Sequence, residues 1–338
     1  MNYRKLVLFI VAPFGAMLVV APASAHVKWF APYNVPQQPV PLHGIFHPAF
    51  WQFVATAAVL LWVLSWAERQ VLGQAILRSL DRLTGDLKPR VEMLYRGGGA
   101  VFFTALWVMG GIILTPELKT TSTFIPWLEF GIVICLFWRR TLILAALGIA
   151  FLYAYGVYAY GIFHMLDYPI FLGLAAYLGL TGLGLELFGR RPLDVARWAA
   201  ALTLMWASIE KWAYPDWTYP VLDAHPNLAL DLKPDFYMTA AGVLEFSLAF
   251  ALLWSPLIRR LGALVLTMMF TSAVFEFGKI DAIGHSMIIV ILLGVLCDDK
   301  PDTKPHPILA PVVYCGTLAL YLAVYYALHA ILFGTIIW

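Results

Sequence analysis

The chain has 338 residues, 62% of them apolar and 12% charged, with a formal net charge of +2 and a mean hydropathy of +0.79. A soluble chain of this length carries about a quarter charged residues, so the composition excludes a water-facing globule and marks an all-α, polytopic membrane protein. The 22 Lys and Arg fall in short clusters between apolar runs, not on the dense basic face that a nucleic-acid binder needs.

Arg4 and Lys5, the apolar stretch from Leu6 to Val20 and Ala23-Ser24-Ala25 have the form of a secretory signal peptide over residues 1–25. Uncleaved, the same stretch is a signal anchor weakened by Pro13 and Gly15. Cleavage leaves His26 as the mature N-terminus, where an α-amine and an imidazole on one residue form a bidentate nitrogen ligand suited to Cu(II). Residues 26–49 then form a periplasmic segment. Within it His43 and His47, four apart, would lie on one face of a helix and, with His26, complete an all-nitrogen copper site. The competing reading is two interfacial histidines beside Phe46, Phe50 and Trp51, because Pro41 and Pro48 leave room for barely a turn.

Ten apolar segments follow, near Phe50 to Trp66, Ala100 to Leu114, Phe124 to Trp138, Leu142 to Phe163, Ile170 to Phe188, Val195 to Trp212, Tyr237 to Trp254, Leu261 to Phe277, His285 to Cys297 and Ile308 to Ile337. With a periplasmic N-terminus, the connections on the inner side hold Arg69, Arg78, Arg82, Lys88, Arg90, Arg96, Arg139, Arg140, Arg190, Arg191, Arg197, Arg259, Arg260, Lys300 and Lys304. The outer side receives only Lys28, Lys119, Lys211, Lys233 and Lys279. This positive-inside bias predicts ten spans in a bacterial inner membrane with both mature termini periplasmic. In the unit 50–96 the stretch from Glu68 to Arg96 reads as an amphipathic helix on the inner membrane surface, ended by Gly97-Gly98-Gly99.

Leu128-Glu129-Phe130 recurs as Leu244-Glu245-Phe246, the pair Arg139-Arg140 as Arg259-Arg260, and His164 as His285, at offsets of 116, 120 and 121 residues. The order and spacing divide the chain into a first four-helix unit (97–192), a second (193–299) and a loop with a final span (300–338). Four helices per unit make the repeat a parallel one about the membrane normal. Chance recurrence in apolar sequence is the alternative.

The second unit resembles the DoxX family, small four-helix membrane proteins that include the DoxD subunit of thiosulfate:quinone oxidoreductase. The residues carrying the resemblance are Ser208-Ile209-Glu210-Lys211-Trp212-Ala213-Tyr214-Pro215, Gly242-Val243-Leu244-Glu245, Arg259-Arg260-Leu261-Gly262 and Gly284-His285. They cover under a third of the chain. The resemblance implies membrane-associated redox work near the quinone pool, with no defined catalytic residue.

Sorted by this topology, the histidines gather on the outer side, His306 excepted. Carboxylates join them there, and Glu129, Glu210, Glu245 and Glu276 should face the bundle interior, since an ionisable group in lipid is costly. His164 and Asp167, three apart, suit a metal, or a carboxylate orienting an imidazole for proton transfer, or a wet helix cap. Glu276, Lys279, Asp281 and His285 crowd the equivalent turn of the second unit, where His285 is the stronger ligand or proton carrier and the lysines neutralise neighbouring charge. The outer loop from Tyr214 to Phe236, with Trp217, Tyr219 and His225, reads as a lid or as a passive loop. Cys135, Cys297 and Cys315 form no C-x-x-C pair, and no phosphate-binding glycine motif is present.

The expected activity is therefore metal-dependent redox chemistry with copper on a small or lipid-soluble, quinone-linked substrate, aided by a membrane or periplasmic redox partner. His26, His43, His47, His164 and His285 are the expected ligands, and His164, Asp167, His285, Glu276 and Asp281 the expected catalytic groups. The other reading is a proton-coupled transporter or metal-handling protein.

Overall fold

The computed structural model describes residues 27–229, 232–300 and 305–338. The signal segment and His26 lie outside them. Among the described residues the fold is all helical, with two isolated bridges, Ile112 to Lys119 and Leu187 to Arg190, in place of any sheet. A short 3₁₀ turn at Val27–Trp29 precedes α1 (Leu42–Ile45), α2 (Pro48–Ala67), α3 (Val71–Thr84), α4 (Val91–Met109), α5 (Phe124–Leu136), α6 (Leu142–Tyr160) and α7 (Ile162–Met165). Then come α8 (Pro169–Leu183), α9 (Pro192–Ala213), α10 (Pro215–Ala224), α11 (Pro234–Ala251), α12 (Pro256–Phe277), α13 (Lys279–Leu296) and α14 (Leu309–Phe333).

Proline opens α2, α8, α9, α10, α11 and α12, a position where its missing N–H costs nothing and its fixed φ suits the helix. The helices Pro48–Ala67, Pro256–Phe277, Lys279–Leu296 and Leu309–Phe333, and the stretch Arg139–Tyr160, are long and apolar enough to cross a membrane. Phe124–Leu136 and Pro169–Leu183 are shorter apolar helices. Side chains such as Val101, Tyr158 and Phe275 are 70–87% exposed on the bundle's outside, which suits a lipid environment.

Each helix packs on its neighbour in the order α4, α5, α6, α8, α9, α11, α12, α13, and α13 returns to α4. Helices α2 and α14 pack on each other, and α2 also covers α11. Two turns at one end of this ring are made by glycines with positive φ. Gly161 (φ +84°) separates α6 from α7 just before His164, and Gly278 (φ +73°) separates α12 from α13 just before Asp281 and His285. Both backbones sit where a side chain is strained.

Three local expectations are corrected. Gly97-Gly98-Gly99 does not end a surface helix but lies inside α4. A Cβ on Gly98 would meet Val290 Cγ2 of α13 at 2.6 Å, so the glycines allow two helices to approach closely, as small residues do in membrane bundles. The surface helix is confined to α3, which buries Gly73, Leu80 and Thr84 and leaves Val71, Leu72 and Leu83 exposed. The segment after Tyr214 is not an open loop either. It folds into α10 and a 3₁₀ turn at Pro226–Ala229, burying Trp217, Val221, Leu222 and Leu228.

Candidate functional site

The end of the ring that carries Gly161 and Gly278 holds a buried polar chamber. Its roof is the turn Val27–Trp29. Lys28 Nζ donates to Asp167 Oδ2, in the turn between α7 and α8, and at 2.5 Å to Glu210 Oε1, near the end of α9. The Lys28 and Asp167 side chains are 2% and 1% exposed, and Glu210 is 11% exposed. Tyr33 and Trp217 stand 5.6 and 5.5 Å from the ammonium, at cation–π range.

Behind Lys28 lies a third carboxylate. Glu117 Oε1 is 3.3 Å from His164 Nε2 and accepts the Tyr168 hydroxyl. The His164 ring is stacked between Tyr33 (5.5 Å) and Tyr160 (5.6 Å). On the α13 side, His285 Nδ1 is 2.9 Å from Asp281 Oδ2, one helical turn away, and its ring meets Trp29 at 4.8 Å and Phe270 at 4.6 Å. Gly284 makes the Trp29 contact possible, since a Cβ there would lie 2.0 Å from Trp29 Cη2. Lys211 Nζ pairs with Glu245 Oε2 at 2.6 Å, joining α9 to α11. Thr115, Asp167, Glu210, Lys211, Glu245 and His285 all line one cavity of about 50 Å³, room for a few water molecules.

Burial dominates the electrostatics. It pulls the Lys28 ammonium down, but Asp167 and Glu210 outweigh it and hold the group above its ordinary range. Burial pushes the Asp167 carboxyl up, against the pull of Lys28. Burial also raises Glu117 to about 7, with Lys28 opposing, and lowers His164 to about 4, helped by the Lys28 charge.

Glu117 therefore holds its proton more tightly in the fold than in the unfolded chain. Its contribution to stability is complete below about pH 4.5 and is lost as pH rises through about 7. The melting temperature of Glu117→Gln, set against wild type across this window, should lack that downward slope. If the variant keeps the wild-type slope, Glu117 is not the group responsible. The difference between the two curves isolates Glu117 from His164, whose lowered value acts in the opposite direction, losing stability as pH falls toward 4.

The structure gathers some expected site residues and separates others. Asp167 and His164 belong to the Lys28 cluster, and His285 lines the same cavity with Asp281 paired to it from behind. Glu276 does not join them: it pairs with His225 at 2.8 Å in a partly exposed spot. His43 and His47 do not share a helix face. The chain leaves α1 at Phe46, and His47 caps α2, its Nδ1 accepting from Phe50 N–H at 3.4 Å and its Nε2 meeting Thr239 Oγ1 at 3.2 Å. His43 lies by Trp338. Among the described residues no group of three His, Cys, Asp or Glu side chains is placed to hold a metal ion. The donor chemistry for copper at His43, His47, His164 and His285 is therefore not assembled.

Sequence reasoning missed Lys28 and Glu117 as site residues. The one signal was a lysine set in the aromatic run Lys28-Trp29-Phe30 on the side poor in basic residues. Glu129, expected to face the interior, is fully buried in α5, and neither carboxylate oxygen has a hydrogen-bond partner among the described residues. Comparison with protein-family models, curated proteins and solved structures finds no match.

Proposed function

We propose that the chain is an inner-membrane protein of ten membrane-crossing helices in two parallel four-helix units, whose outer chamber binds a small or lipid-soluble substrate and exchanges a proton with it during quinone-linked redox chemistry. The observation that carries this reading is His285 on the chamber wall with Asp281 buried behind it. With Asp281 ionised, Nδ1–H donates to it and leaves the Nε2 lone pair free to take a proton from a substrate hydroxyl. Asp281 holds the ring's tautomer and stabilises the imidazolium that forms. The hydroquinone form of the substrate gives up its two hydroxyl protons one at a time to Nε2 and two electrons to a redox partner protein, and leaves as the quinone. The redox class itself comes from the DoxX resemblance, and no step is routed through copper.

The shared helix order of the two units supports the repeat: α4, α5, α6 and α8 follow one another as α9, α11, α12 and α13 do, and each unit's last helix packs on the other unit's first. A lipid-soluble substrate is supported by a second cavity of about 70 Å³ between α2, α11 and α12, lined by Phe53, Leu61, Leu64, Leu244, Leu248 and Val265. Helix α11 thus bears both Glu245 in the chamber and Leu244 and Leu248 in an apolar groove fit for an isoprenoid tail.

A short-chain ubiquinol titrated under anaerobic conditions into the detergent-solubilised protein should quench tryptophan fluorescence saturably, and His285→Ala should weaken that binding roughly tenfold, about the worth of one hydrogen bond. No saturable quenching sinks the quinone reading. The transporter reading is favoured by one observation, the partnerless Glu129 inside α5. It requires pH-linked ion flux in proteoliposomes, which the enzyme reading does not.

A further inference from the structure

We propose that Asp167 and Glu210 form a binding seat for small organic ammonium ions, which Lys28 fills as a tethered occupant. The carboxylates come from the two halves of the ring, whereas Lys28 comes from a turn whose backbone hydrogen bonds are its own: Phe30 and Ala31 N–H both donate to Val27 O at 2.9 Å. Side chains, not a backbone ladder, anchor that turn: Lys28 over the seat, Trp29 against His285 and the adjoining Phe30 against Phe277.

Three features describe a cation site and not merely an ion pair. The first is charge. Two carboxylates, Asp167 and Glu210, contact one ammonium, one more than neutrality needs, and Glu117 adds a third negative charge nearby above about pH 7, so the pocket favours positive charge beyond what Lys28 needs. The second is the aromatic wall of Tyr33 and Trp217, at distances suited to an ammonium or its N-methyl groups. The third is a surplus of acceptors. Lys28 uses Asp167 Oδ2 and Glu210 Oε1, while Asp167 Oδ1 and the Thr115 hydroxyl are buried without a hydrogen-bond partner among the described residues. Thr115 is 2% exposed and lines the same cavity as both carboxylates. A lysine head group carries three donors and is held by its stem, whereas a free ammonium or methylammonium ion can turn its N–H groups toward these open acceptors. The cavity beside the seat leaves space for the small alkyl part.

This inference rests on the chamber geometry and not on the redox reading, so either can fail alone. The test is Lys28→Ala melted in detergent with and without ethylammonium chloride. The expected result is a saturable rise in melting temperature of about 2–4 °C at ten times the dissociation constant, absent with sodium chloride at equal ionic strength and absent in Lys28→Ala/Glu210→Gln. A folded Lys28→Ala that ethylammonium stabilises no more than sodium does overturns the proposal.

If Lys28→Ala does not fold in either salt, reductive methylation of the wild-type protein decides. Lys28 should react roughly tenfold more slowly than exposed Lys119, and trimethylammonium, which has one N–H and is itself inert to reductive methylation, should speed Lys28 labelling saturably as it competes for the seat. Labelling of Lys28 that trimethylammonium leaves unchanged, or that sodium chloride speeds equally, overturns it.

Discussion

Lys28→Ala lowers the stability of the folded protein by about 3–5 kcal/mol, the range for removing one partner of a buried ion pair. The loss is large because of what remains. Asp167 and Glu210 would stay behind in the chamber with their countercharge gone, beside Glu117, and water reaches Asp167 through only 1% of its surface. Lys28→Met keeps the volume and loses nearly as much, because volume is not what the two carboxylates need. Lys28→Met combined with Asp167→Asn and Glu210→Gln recovers most of the loss, since replacing an entire buried charge set by neutral groups is often close to neutral. Thermal or denaturant melts in detergent measure all three. A cost for Lys28→Ala below about 1 kcal/mol is the value for an exposed pair, and it would mean that the chamber is open to water.

Why this contact was hidden from sequence reasoning is a matter of distance along the chain. Lys28 lies 139 residues from Asp167 and 182 from Glu210, and no periodicity links positions so far apart. Asp281 and His285 fell in one expected cluster because they lie close in sequence, and one helical turn on a single helix brings their side chains together. The i, i+4 reading of His43 and His47 failed, since α1 ends between them. Local glycine rules failed at Gly97-Gly98-Gly99 for a different reason: the missing Cβ serves the contact with Val290 on α13, and a breaker in one dimension is a packing surface in three. What composition and apolar runs did reveal was the helical class and the membrane setting. The gathering of carboxylates that the sequence placed on one side marked the end of the bundle where the chamber lies.

Asp298→Ala, at the opposite end, costs a similar amount, about 3–5 kcal/mol, for a purely structural reason. Asp298 accepts two hydrogen bonds from Arg191, at 3.0 and 2.9 Å, and stands 3.4 Å from Arg259. Arg191 also grips Asp194, which in turn pairs with Arg197 at 3.1 Å. These residues tie the start of α9 to the start of α12 and to the segment just after α13. Burial pushes the Asp298 carboxyl up, but the Arg191 hydrogen bonds and the Arg259 charge overcome that and hold it below its ordinary value. A depressed carboxyl contributes stability that is present above about pH 4 and is lost as pH falls through its folded value. Wild type and Asp298→Ala should therefore differ by a constant amount at neutral pH and converge only in acid, opposite in sign to the Glu117 window. Asp298→Asn, which keeps the shape and some of the hydrogen bonding, should fall between them, about 1–3 kcal/mol below wild type. The contrast between the two ends bears on function. Asp194 and Asp298 have no buried oxygen without a partner among the described residues, whereas Asp167 and Glu117 each have one. Folded Asp298→Asn should bind the quinol as wild type does in the same titration, and weakened binding there would show that this clamp also shapes the chamber.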